Sequence, residues 1–199
     1  MPSDLDLVIR LDLGALRASL GDRPTDELLR SALEASRLDE AARISLQRAE
    51  VLWFATRLEE LEAGDHVIAV AARRGRFEPP PAERWSVASL PDPRVVRYVA
   101  KGDLSRHQSR EVFDLPGGRV FASAIEAPSV RRVLARGPDP ARLEPEARGL
   151  VSFASRPRPP SRDRLRRHPF LGALLGEVEQ VDGVLDERAR ALSVTAHLR

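Results

Sequence analysis

The side chains of this sequence that could do chemistry are a basic cluster, four histidines and a few acidic pairs. The basic cluster is Arg156, Arg158, Arg162, Arg164, Arg166, Arg167 and His168. Guanidinium groups bind phosphate oxygens in pairs, so the cluster could bind nucleic acid or anionic lipid. It lacks the interleaved aromatic residues of single-strand binders, and Asp163 lowers its charge. We therefore favour a solvated linker and retain nucleic-acid association as the alternative.

The histidines do not form a metal-binding or acid–base pattern. They are His66, His107, His168 and His197, and no pair has the spacing of metal ligands on a helix. Asp65 and His66 are neighbours, but adjacent residues of a strand point to opposite faces of the sheet. Solvation at a strand edge is the simpler role for His66, and exposure in a polar loop for His107.

Nucleophile and phosphate motifs are also missing from the sequence. No serine lies in a Gly-x-Ser-x-Gly context, and Gly117-Gly118 is too short for a phosphate loop. The acidic pairs Glu59-Glu60 and Asp186-Glu187 are typical of solvated surface. We predict no catalytic, cofactor-binding or metal-ligating residue and expect a non-enzymatic protein. An enzyme would need a pocket assembled from residues distant in sequence.

Composition excludes several further classes. Charged residues make up 31% of the chain, yet the formal net charge is only +2. The isoelectric point near 9.8 reflects arginine, since Lys101 is the only lysine. Arginine and alanine in this excess are typical of a GC-rich genome. The chain has no cysteine, which excludes disulfides, and no apolar run reaches the ~18 residues of a membrane span.

The first half of the chain predicts strands with helices between them. Alternating leucines and isoleucine predict a strand over 6–13, and two short antiparallel helices should follow. Thr25 is expected to cap the first of these, which carries Leu28, Leu29, Ala32 and Leu33; the second carries Leu38, Ala42, Leu46 and Ala49. The runs 51–56 and 66–71 predict an antiparallel pair, 78–84 a loop, and 95–100 a further strand.

The strongest local signal is a hairpin followed by a helix. Residues 112–115 and 119–122 flank Pro116-Gly117-Gly118, where glycine supplies the positive φ of a tight turn. Pro128 suits a first helical turn and Gly137-Pro138 an end, with Val130, Val133 and Leu134 on one side. We expect the apolar run 51–54 to lie in the core.

The last third of the chain predicts a strand, a linker and a C-terminal hairpin. Residues 150–154 favour a strand, and the extended polar stretch 156–162 is the candidate internal boundary. A helix is expected after Pro169, with Leu171, Leu174, Leu175 and Val178 on one face, ending at Gly183. Residues 184–198 then favour a hairpin. Strands with grouped helices predict one α+β domain over 1–199, an antiparallel sheet with helices packed mainly on one face.

The N-terminal segment combines three short motifs: Ser3-Asp4, Leu7-Val8-Ile9-Arg10-Leu11-Asp12 and Leu16-Arg17-Ala18-Ser19. In these motifs it resembles uncharacterised secreted or lipid-anchored envelope proteins of GC-rich bacteria. The resemblance extends coarsely to the paired strands near 51–54 and 67–70 and to the hairpin–helix unit 112–134. It implies a lipoprotein-like structural or binding module of the cell envelope or periplasm, with envelope protein partners; a cytoplasmic location is the alternative. Strands near both ends suggest a piece trimmed from a longer protein.

Overall fold

The computed structural model describes residues 2, 4–35, 40–58, 66–72, 77–103, 108–138, 140–159, 178–186 and 191–198. The strands within these ranges are β1 (Leu7–Asp12), β2 (Ala49–Thr56), β3 (His66–Ala72), β4 (Trp85–Ala88), β5 (Val96–Ala100), β6 (Glu111–Leu115), β7 (Gly118–Ala122), β8 (Val151–Ser155), β9 (Val178–Asp186) and β10 (Ala191–Leu198). The helices are α1 (Leu13–Leu20), α2 (Asp22–Ala35), α3 (Glu40–Gln47) and α4 (Ala127–Arg136).

The described strands form one sheet in the order β10-β9-β8-β1-β2-β3-β7-β6-β5-β4. Every neighbouring pair is antiparallel. Mostly short connections and hairpins suffice for such a sheet, whereas a parallel sheet needs long crossovers. The predicted α+β class with an antiparallel sheet is confirmed.

The helices divide unequally between the two faces of the sheet. Leu13, Leu29 and Leu46, from α1, α2 and α3, join one buried cluster with sheet residues such as Phe121; we call this side the α1 face. The opposite side, the α4 face, carries a second cluster in which Val130 of α4 packs with Phe113. Helices therefore lie mainly on one face, as predicted, and α4 is the exception.

The turn from β1 into α1 is held by Asp12. Its Oδ1 accepts a hydrogen bond from the Ala15 backbone N–H at 2.8 Å, which is the N-cap contact. Its Oδ2 accepts from Nη2 of the buried Arg10 at 2.7 Å. A helix therefore starts directly after the strand, without an intervening loop.

The predicted start of α2 is wrong by one turn. The helix begins at Asp22, and Thr25 already lies within its first turn. The Thr25 hydroxyl donates backwards to the Gly21 carbonyl at 2.8 Å instead of accepting from free N–H groups. Serine and threonine make this backward bond inside helices, so the residue type alone does not identify a cap. The predicted second helix corresponds to α3, with Ala49 already in β2.

The hairpin–helix unit is confirmed. Strands β6 and β7 pair with Leu115 opposite Gly118, and Gly117 takes a φ of 81° in the turn. Helix α4 has Pro128 in its first turn and ends at Gly137, whose N–H donates to the Val133 carbonyl. The pair β2–β3 and the strands β1, β5 and β8 also lie where the sequence predicts them.

One strand was missed and one was misassigned. Strand β4 directly follows the proline-rich loop and pairs with β5 at the edge of the sheet. The C-terminal hairpin exists, but β9 already begins at Val178, which was expected in a helix, and runs through Gly183. The rest of the helix expected after Pro169 lies outside the described residues. Strands β9 and β10 extend the same sheet beyond residues 156–162.

Candidate functional site

A cleft lies between α4 and the sheet, and we call it the α4 cleft. Its volume is about 360 Å³, near the lower end of the roughly 300–1,000 Å³ typical of small-molecule sites. Its floor and roof are apolar and come from Val8, Trp53, Val120, Val130, Val133 and Leu134. Pro2, Leu115, Leu143 and Pro145 complete the apolar wall. This arrangement suits an apolar ligand, because few polar groups line the cleft.

The register of the sheet and the helical spacing of α4 place these side chains together. Trp53 of β2 lies opposite Arg10 of β1, and the register carries this row across the α4 face to Val120. On α4, Val130, Val133 and Leu134 have the i, i+3, i+4 spacing that puts residues on one side of a helix. The predicted shared side of these three residues is confirmed, since all of them line the cleft.

The N-terminal end of α4 is fixed by a buried ion pair. Glu126, directly before the helix, has a fully buried side chain and pairs with the Arg57 guanidinium that follows β2. Arg57 Nη2 also donates to Asp4 Oδ2 at 2.8 Å. The Ser129 hydroxyl of α4 donates to the same Asp4 oxygen at 3.2 Å. Asp4 and Arg57 thereby tie the N-terminal segment, β2 and α4 together.

The charges in this cluster shift each other's pKa. Burial alone would raise the pKa of the Asp4 carboxyl, but the hydrogen bond and charge of Arg57 outweigh burial and hold that pKa below its usual value. Burial opposes the charged form of Arg57, yet Glu126 and Asp4 raise the pKa of Arg57 overall. Asp4 and Arg57 are therefore both charged at neutral pH.

A second ion-pair cluster holds α4 from the other side. Glu111 of β6 is almost fully buried on the α4 face and accepts two hydrogen bonds from Arg97, at 2.8 and 2.7 Å. Arg131 of α4 donates to the same carboxylate. Bidentate arginine–carboxylate pairs fix geometry as well as charge. Helix α4 is thus held by charged contacts at its N-terminal boundary and at Arg131.

The margins of the cleft are polar. At one margin Arg142 pairs with Glu144 at 2.7 Å. At another, the cleft adjoins a second pocket of about 330 Å³, which we call the α4 side pocket. The two share Pro2 and Val133, and the side pocket adds Arg132 and Arg136 from α4. An apolar space and a basic one are therefore in contact.

A larger pocket, about 580 Å³, lies at the tip of the β6–β7 hairpin. Asp114 in its wall accepts from Arg119 Nε and Nη2 at 2.5 and 2.9 Å. Arg119 in turn lies 4.8 Å from the centre of the Phe77 ring. Burial first, and the Asp114 charge second, raise the pKa of Tyr98 nearby. Because Arg119 already pairs with the Asp114 carboxylate, we assign this cluster a structural role: it holds the hairpin in place.

The histidines are not brought together in the described structure. His66 is buried in β3, not solvated at an edge as predicted, and its ring stacks on Phe54 with centroids 5.8 Å apart. Asp65, His107 and His168 lie outside the described residues, and the side chain of His197 in β10 is not described. Within the described ranges, no group of three or more His, Asp or Glu side chains is placed to hold a metal ion.

Two members of the predicted arginine cluster have structural partners. Arg156 donates to Gln180 Oε1 at 2.8 Å. Arg158 lies 3.7 Å from the fully buried carboxylate of Asp6, which also accepts from the Arg158 backbone N–H. Arg162, Arg164, Arg166 and Arg167 lie outside the described residues, as do the acidic residues Glu59, Glu60 and Glu187.

Sequence reasoning missed the α4 cleft. Its walls come from Pro2, β1, β2, β6, β7, α4 and the segment near Leu143, which no motif links. The one available signal was the apolar side of α4 directly after the hairpin. In the described part of the chain, no helix is long and apolar enough to cross a membrane.

The fold defines the class of protein only as an α+β protein built on a single antiparallel sheet. No protein-family model matches the chain, and neither does any curated protein. Among solved structures, crystal form I of TP0453 is similar, with a TM-score of 0.51 and 12% identity over 92% of this chain and 69% of that one. At this identity the similarity shows a shared fold.

Proposed function

We propose that the protein is a non-enzymatic binding module whose site is the α4 cleft. The observation that carries the proposal is the apolar wall of a space of about 360 Å³ beneath a helix that ion pairs hold at Glu126 and at Arg131. Without such anchors an apolar helix would be free to close onto the sheet and fill the space. The cleft is thus a preformed site, as most small-molecule sites are.

The cell envelope is the proposed location of this module. The support is the resemblance of the N-terminal segment to secreted and lipid-anchored proteins. Envelope protein partners belong to the same proposal. Nucleic-acid association through the basic cluster has less support, because Arg156 and Arg158 already bind Gln180 and Asp6.

Trp53 provides a direct test of binding. The chain has two tryptophans, and a Trp85→Phe variant leaves Trp53 in the cleft wall as the single reporter. We expect the neutral apolar dye N-phenyl-1-naphthylamine to quench Trp53 by energy transfer and to gain fluorescence, saturably. The dye's own fluorescence in the unmodified protein provides a second readout that does not depend on the substitution.

A blocking variant assigns the signal to the cleft. Val133→Phe adds a ring to the roof and should weaken dye binding about ten-fold or more, since the space is too small for both. Val87→Phe is the matched control, because Val87 is 72% exposed on the edge strand β4. Equal binding by both variants, with both folded by circular dichroism, would overturn the proposal.

A further inference from the structure

We infer that the α4 cleft and the α4 side pocket together bind a single-chain amphiphile with an acidic head group, a carboxylate or a phosphate. The chain lies in the cleft and the head group lies against Arg132 and Arg136. This inference rests on the proposed function, because it names the ligand class of the same site.

The first support is the adjacency of the two spaces. Pro2 and Val133 line both, so the cleft and the side pocket meet along the same edge of α4. The cleft wall is largely apolar, whereas the side pocket adds Ser129, Arg132 and Arg136. An apolar chamber beside a basic one matches a molecule with an apolar chain and an anionic end.

The second support is the state of the arginines on α4. Arg131 is engaged by Glu111, but among the described residues neither Arg132 nor Arg136 has an ion-pair partner. The two stand four residues apart on one side of the helix, where like charges repel each other. An anion between them would relieve this repulsion and could accept hydrogen bonds from both guanidinium groups.

The acidic residue in the side pocket does not argue against an anionic ligand. Asp4 lies in the wall, but its carboxylate already pairs with Arg57 at 2.8 Å and accepts from Ser129. Its charge is therefore compensated locally. The two arginines remain as the uncompensated charge of the described wall, which makes the pocket selective for anions.

The apolar chamber should select for chain length. Each methylene that leaves water strengthens binding about four-fold, until the chain fills the cleft. Affinity should therefore rise along a series of straight-chain acids and then level off. A short-chain acid such as acetate should bind too weakly to detect.

The test compares decanoate, decyl phosphate and decan-1-ol in a dye-displacement titration below their aggregation concentrations. We expect both anions to bind about ten-fold tighter than the alcohol, and added salt to reduce that difference. The variant Arg132→Ala/Arg136→Ala should remove the preference while leaving the affinity for decan-1-ol unchanged. Arg30→Ala/Arg84→Ala, which removes two exposed arginines elsewhere, is the matched control and should keep the preference.

The outcomes separate this inference from the proposed function. If the alcohol binds as tightly as the anions, or if the control variant loses the preference as well, the head-group assignment is overturned and the cleft remains a binding site. If neither the alcohol nor the anions displace the dye from the unmodified protein, the assignment of the cleft as a site fails, and the ligand class fails with it.

Discussion

Arg57 and Glu126 join the end of β2 to the start of α4 through an ion pair in which the glutamate side chain is fully buried. A buried carboxylate is unfavourable without a compensating charge, so the pair fixes where the helix must start. The helix is the roof of the α4 cleft. The contact therefore helps to set the position of the roof above the sheet.

Arg57→Met should remove the cation that faces the buried Glu126 carboxylate. We expect the free energy of unfolding to fall by about 3 kcal/mol in urea titrations, in the range seen when one partner of a buried pair is removed. Arg57→Met/Glu126→Gln should lose less than the sum of the single losses. Arg23→Ala, which breaks the exposed Arg23–Glu27 pair, should have little effect. Additive losses in the double variant would show that the two residues are not coupled.

Asp4 should make stability sensitive to acid. Its pKa is lowered in the folded protein, so it stabilises the fold above the unfolded value of about 3.9 and loses that contribution as pH falls through the folded pKa. Asp4→Asn should cost about 0.5 kcal/mol at pH 7, because solvent screens this partly exposed pair. With unfolding followed from pH 7 to pH 2, the stabilities of the two proteins should converge as the pH falls below that unfolded value and through the lower folded pKa. A constant difference across this range would contradict the assignment.

Gly183 is required because the Phe153 ring occupies the place of a side chain. A Cβ at position 183 would lie 2.2 and 2.5 Å from two ring carbons. Gly183→Ala should therefore destabilise the protein by about 1–3 kcal/mol, as overpacking does. Phe153→Leu in the same chain should recover part of the loss. Gly14→Ala is the control, since its nearest neighbour would be 3.4 Å away and alanine favours the helix.

Arg17 should be a buried structural residue. Its Nη1 donates to the Ala49 carbonyl at 2.7 Å, and its Nη2 donates to the Gln47 carbonyl at 3.1 Å, at the end of α3. Arg17→Met keeps the bulk but leaves these carbonyls without their donor, so we expect a loss of about 2 kcal/mol in thermal or urea unfolding. Arg30→Met, on the exposed part of α2, should not change stability measurably. If both variants lost a similar amount of stability, the loss would reflect helix propensity and not the two hydrogen bonds of Arg17.

Local signals predicted local structure well. The β6–β7 hairpin and α4 follow from Gly117, Pro128 and Gly137, because turns and helix ends depend on backbone preferences of single residues. Gly183 shows the limit of this reasoning. Glycine usually interrupts regular structure, but here it continues β9, because an aromatic ring from β8 covers it. No pattern around residue 183 reveals a partner thirty residues earlier.

The candidate site was less predictable than the fold. Trp53 belongs to an apolar run expected in the core, and only the sheet register shows that it faces α4 while Leu52 faces the other helices. The buried charges were also unforeseen. Glu111 and Glu126 look like solvated residues in the sequence, and their arginine partners come from other elements.

The most direct test of the account is a methyl NMR titration of the labelled protein with decan-1-ol, a ligand without charge. We expect saturable shifts that are largest at the methyl groups of Val8, Val120, Val130, Val133 and Leu134 and absent at Val87 on β4. Shifts centred on Val96 at the hairpin pocket and absent from the five cleft residues, or no saturable shifts at all, would contradict the assignment of the α4 cleft as the binding site.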